Sequence, residues 1–130
     1  MVTMPRVRTG PLSAGEVRGV AEDFARAYAR EDARALRRTL APDVSRVSPT
    51  GVQRGRAGVV AEYARQFGDY AVKDYTLGGL TASGGTAGRA SAAYTVELDG
   101  GSSITGRLVL GVVRDGTTPR IRLIAAEPRP

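Results

Sequence analysis

The chain has 130 residues, 42% of them hydrophobic, with 19 basic against 13 acidic side chains and a net charge of +6. It contains neither cysteine nor histidine, which excludes disulfides, thiolate nucleophiles, the usual zinc sites and every histidine-based triad. The length sets one domain with a real core, and no stretch is long and apolar enough to span a membrane.

A chain without thiols is compatible with either redox compartment. With no hydrophobic signal segment in view, the cytoplasm is the expected location. The positive charge rests on 18 arginines and one lysine, Lys73. The arginines are scattered through every segment, form no tract and are not interleaved with exposed aromatics, so neither nucleic acid nor a membrane is an expected partner. No metal and no cofactor is expected.

Met1 to Gly10 is basic and broken by glycine and proline, which predicts a flexible tail over 1–12 ahead of a domain at 13–130. Ser13 followed three residues later by Glu16 is a capping box, which starts a helix. Val17, Val20, Phe24, Ala27 and Tyr28 share one face of it, and Arg18, Glu22, Arg26 and Arg30 step along the other. Asp32 is a second cap, with Ala35, Leu36, Thr39 and Leu40 as the buried edge of about two further turns before Pro42, whose missing amide ends the helix. Asp43 to Ser48 predicts a short strand and Pro49-Thr50-Gly51 a turn. A third helix follows Gly55 to Gly58, burying Val59, Val60, Tyr63, Ala64 and Phe67, with Gly68 expected as its left-handed cap.

From Tyr70 the period falls to two. Strand-like runs at about 70–80, 86–98, 102–114 and 120–126 are separated by Gly84-Gly85, Gly100-Gly101 and Asp115-Gly116, the pattern of an antiparallel meander. Helices first and strands after make an α+β fold rather than a dinucleotide-binding repeat. The glycines between Gly51 and Gly58 lack the ending of a phosphate loop. The third run is apolar on both faces, with Leu108, Leu110 and Val112 on one and Val109 and Val113 on the other. A second apolar face needs cover, so a homodimer through the outer face of the sheet is expected.

Phe24-Ala25-Arg26-Ala27-Tyr28-Ala29-Arg30-Glu31-Asp32, the Leu40-Ala41-Pro42-Asp43-Val44 break, Gly55-Arg56-Ala57-Gly58 opening the third helix, and Ile121 heading the last strand resemble the NTF2-like superfamily. The likeness is to its SnoaL-like and ketosteroid-isomerase-like members in particular. The resemblance runs from about Val17 to Glu127. It implies a cone in which three N-terminal helices pack on a curved antiparallel sheet, with an internal pocket at the wide end and often a dimer. Isomerases of this group use a tyrosine on the first helix, a carboxylate base after the second and a protonated carboxyl on a late strand. Set beside that pattern, those positions fall on Phe24, Ser48 and near Leu110, so all three polar roles are vacant.

The expected pocket lining is therefore Phe24, Tyr28, Ser48, Tyr63, Phe67, Tyr94, Leu108 and Leu110, with no catalytic residue among them. Asp74 is the candidate acid or base if the protein is an enzyme; Glu97 alternates away from the apolar face, and Glu62 is expected to face water. These residues predict a non-catalytic domain that binds a small apolar or amphipathic ligand or serves as an accessory module. The alternatives are a SnoaL-like isomerase, cyclase or dehydratase acting on a small hydrophobic substrate, and a docking domain of a larger protein.

Overall fold

The chain forms, in order, α1 (Ala14–Ala29), α2 (Ala33–Arg38), β1 (Leu40–Ser48), β2 (Gly51–Arg54), α3 (Arg56–Asp69), β3 (Val72–Ser83), β4 (Gly88–Leu98), β5 (Ser103–Asp115) and β6 (Thr118–Pro128). This is a computed structural model, and it describes residues 10–129. The tail expected over 1–12 falls outside the described residues up to position 9. Its last residue departs from that expectation: Leu12 is buried and exchanges both backbone hydrogen bonds with Gly85.

Local chemistry sets the helix ends. The Ser13 hydroxyl accepts from the Glu16 amide and the Glu16 carboxylate accepts from the Ser13 amide, each at 3.0 Å, satisfying two of the orphan donors of the first turn. After α1 the chain reverses at Glu31, which takes the left-handed conformation with φ of 51°, and Asp32 caps α2 by accepting from the Ala35 amide. Helix α2 is shorter than expected. Thr39 closes it by donating to the Leu36 carbonyl, and its own carbonyl accepts from the Ile121 amide at 2.7 Å. The chain is thus already in the sheet at Leu40, which pairs with Ile121 rather than lining a helix. Pro42 sits in the register break between Leu40 and Ser45, where a missing amide is tolerated. Gly68 is not a cap either; α3 runs on to Asp69 and stops at an extended Tyr70.

The sheet order is β2-β1-β6-β5-β4-β3. Strands β3 to β6 form the expected antiparallel meander, β1 and β2 a hairpin, and the two parts join through a parallel pair, β1 with β6, that the sequence pattern does not announce. Register breaks that put extra residues in β3, β6 and β1 bend these strands. The sheet thereby curves around α1, which packs mainly on β3. Gly88 permits the close approach of the first turns of α1, because a side chain there would collide with Val17. Phe24, Leu36, Leu40, Leu110, Ile121 and Ile124 are fully buried and form the center of the core.

Strand β5 lies inside the sheet, between β6 and β4. Leu108, Leu110 and Val112 point into the core, and Val109 and Val113 lie on the outer face, as their alternation predicts; Val47 and Leu123 are exposed. Near the C-terminal end of β5, Arg114 reaches back to α1. Its two terminal nitrogens each donate to a Glu16 carboxylate oxygen at 3.1 Å, and it also donates to the Gly10 and Pro11 carbonyls.

Candidate functional site

The wide end of the cone holds a cavity of about 270 Å³. Helix α1 supplies Tyr28, one turn beyond Phe24; α3 supplies Tyr63 and, at the mouth, Glu62 and Gln66; β3 supplies Val72 and Tyr75; β4 supplies Tyr94 and Val96; β5 supplies Leu108; and β1 supplies Arg46. The tyrosines pack as a continuous wall. Tyr75 lies 4.4 Å from Tyr28 and stacks on Tyr94 at 5.9 Å, and Tyr63 meets Tyr28 edge-on at 5.7 Å. Such ring pairs contribute about 0.5–1.5 kcal/mol each beyond burial. Gly106, paired across from Tyr94, makes room for that ring, because a Cβ at 106 would lie 2.5 Å from the Tyr94 hydroxyl.

Burial keeps these phenols neutral. It pushes Tyr63 up to about 12, against the opposing pull of Arg46. It also raises Tyr28, Tyr75 and Tyr94, in each case as the largest cause. A desolvated phenol holds its proton because the charged form loses hydration. The wall therefore offers hydroxyl donors and not bases.

Two charged groups share the cavity with them. Glu62 lies at the mouth and does not face open water as expected. Its carboxylate accepts two hydrogen bonds from Arg65, at 2.6 and 3.0 Å, and one from the Gln66 amide; the Gln66 oxygen in turn accepts from the Tyr28 hydroxyl at 3.1 Å. The Arg65 hydrogen bond holds the Glu62 carboxyl below the usual carboxylate range, so it is ionised and a weak base.

Arg46 is only 8% exposed. Its guanidinium carbon stands 5.2 Å from the center of the Tyr63 ring, one terminal nitrogen donates to the Gln53 side chain at 3.0 Å and, at 3.5 Å, to Ser48, and Nε is buried with no hydrogen-bond partner. Among the described residues no carboxylate lies within ion-pair distance of it.

Of the residues expected to line the pocket, Tyr28, Tyr63, Tyr94 and Leu108 do so. Phe24 and Leu110 lie deeper, in the packed core, and Phe67 supports Tyr28 from behind at 5.1 Å. Ser48 misses the cavity; it opens toward the outer side of the sheet and bonds Thr50. Asp74 does not serve as an inward acid or base. The register break between Val72 and Asp74 turns its exposed carboxylate outward, where it accepts from the Tyr75 amide, and puts Tyr75 inside in its place. Sequence reasoning misses Arg46 and Tyr75. Arg46 is within reach of the pattern, since a period of two carries the face of Val44 through position 46; the bulge hides Tyr75. Among the described residues no group of acidic side chains could hold a metal ion.

A domain model described as SnoaL-like matches residues 21–122. The chain belongs to the SnoaL-like family. Among solved structures, this SnoaL-like chain is similar to a candidate dehydratase of the NTF2-like family from Streptomyces avermitilis, with 17% identity, a TM-score of 0.78, and coverage of 88% of this chain and 95% of that one. It is also similar to a cystatin-like-fold protein of unknown function from Nostoc punctiforme, at 15% identity and a TM-score of 0.78 over 88% and 90% of the two chains. A third neighbour is a ketosteroid isomerase-like protein from Erwinia carotovora atroseptica, at 12% identity and a TM-score of 0.74 over 90% and 96%. At these identities the likeness is one of fold, and a shared fold leaves the chemistry to the site. No curated protein matches the SnoaL-like chain in sequence.

Proposed function

We propose that this SnoaL-like domain binds a small amphipathic ligand in the tyrosine-walled cavity and does not transform it. The observation that carries the reading is the composition of that cavity: apolar walls, neutral phenol donors and a fixed cation, without a carboxylate free to act as a base. Specific sites of this kind orient an apolar body with a few placed polar groups. Native mass spectrometry of protein purified from its own host tests it. A small-molecule adduct on the folded chain is the expected result; an adduct-free spectrum and no binding of amphipathic probes would reject it. The same spectrum gives the mass of the assembly, for which we propose a homodimer covering Val47, Val109 and Leu123 on the outer face of the sheet.

A second reading, a SnoaL-like isomerase, cyclase or dehydratase, draws support from Glu62, the one carboxylate side chain at the mouth of the cavity among the described residues. Turnover of the recovered ligand by the wild-type protein, abolished in Glu62→Gln, would establish it in place of the first.

A further inference from the structure

We infer that the ligand of this cavity carries a single carboxylate, received by Arg46, with its apolar body against the tyrosine wall. The inference rests on the ligand-binding reading and adds the chemical class.

Burying Arg46 has a cost. Removing a guanidinium from water without an opposite charge costs several kcal/mol, and the face of Tyr63 with one amide oxygen recovers only part of it: a cation over an aromatic ring contributes about 0.5–2 kcal/mol. Arg46 is nine-tenths buried, lines the cavity and keeps Nε without a partner. Glu62 acts on Arg46 only at a distance and forms no ion pair with it, its oxygens being engaged by Arg65 and Gln66. The lining contains two arginines and one glutamate, which leaves one positive charge facing the space. One charge calls for a monoanion.

The rest of the lining names the body of the ligand. Val72, Val96 and Leu108 and the tyrosine rings close around a space of about 270 Å³, at the small end for ligand sites. They favour one aromatic or alicyclic ring on a short chain. A planar carboxylate matches the donor fork of a guanidinium. A purely structural Arg46 would need an internal partner for its charge, as Arg114 has.

The test compares 4-phenylbutyrate with 4-phenyl-1-butanol, which share a body and differ in the charged end, by NMR titration of the whole chain at neutral pH. The acid is expected to bind about tenfold or more tightly than the alcohol, the increment of a charge-assisted hydrogen bond, and to move the Arg46 guanidinium resonances. Arg46→Met is expected to erase the preference while the alcohol still binds. If that variant does not fold, Arg46→Lys, keeping the charge but losing the fork, is expected to reduce the preference without abolishing it. Equal binding of acid and alcohol with the Arg46 guanidinium resonances unmoved overturns the carboxylate assignment and leaves the ligand-binding reading intact. Binding of neither compound overturns both.

Discussion

Among the described residues Arg114 and Arg46 are both withdrawn from water, and they are treated differently. The Arg114 side chain, 9% exposed, meets Glu16 through two parallel hydrogen bonds and two backbone carbonyls besides. Arg46, equally withdrawn, has one amide, a long contact to the Ser48 hydroxyl, one aromatic face and an unpartnered Nε. The first closes the narrow end of the cone, tying the start of α1 to the end of β5. The second stands at the wide end beside a cavity. A buried charge with its counter-charge inside the chain is part of the fold, whereas one without a counter-charge beside a cavity is a place for something else.

Mutation separates the two. Arg114→Met takes the guanidinium away from the half-buried Glu16 carboxylate, and is expected to lower unfolding stability in urea by about 3 kcal/mol, the low end for breaking a buried pair because Glu16 retains some water. Arg46→Met removes a charge that lacks its counterpart, and the same measurement is expected to show a change within about 1 kcal/mol of zero. Comparable losses in both would erase the distinction.

The tyrosine wall gives a second, nearly as large effect. In the unfolded chain tyrosine titrates near 10, while in the fold Tyr63 is pushed up to about 12, and Tyr28, Tyr75 and Tyr94 are also raised. Between those values the native state holds more protons than the unfolded one, so stability falls as pH rises. The contribution is intact below pH 10 and lost through about pH 12, on the order of 2 to 3 kcal/mol for Tyr63 alone. Urea midpoints at a series of alkaline pH values check this; Tyr63→Phe should flatten the decline, and an unchanged slope would show that the phenol is not desolvated. The smallest effect belongs to the outward carboxylate. Asp74→Asn is expected to alter stability by less than about 0.5 kcal/mol and to leave probe binding unchanged, and a loss of binding would return Asp74 to the site.

The contrast between these residues also shows how far sequence pattern reaches. Ser13 and Glu16 are three apart and meet through a single turn, so their capping box is directly legible. Tyr28 and Tyr63 lie on helical faces with unbroken spacing, and both line the cavity. Asp74 and Tyr75 defy assignment by period, because one bulged residue exchanges inside for outside. Leu40 reads as the edge of a helix and not as a strand because its partner, Ile121, lies far along the chain.

Sequence alone determined the helices, the turns between the long strands, the α+β order and the absence of thiol and imidazole chemistry, since each follows from residue identity or from spacing within a few turns. Tertiary structure alone decided that β1 joins β6 in parallel, that Asp74 faces out and Tyr75 in, and that Glu62 has an ion-pair partner while Arg46 has none among the described residues. Those outcomes depend on register and on which distant groups meet across the cone, and neither is encoded in local periodicity.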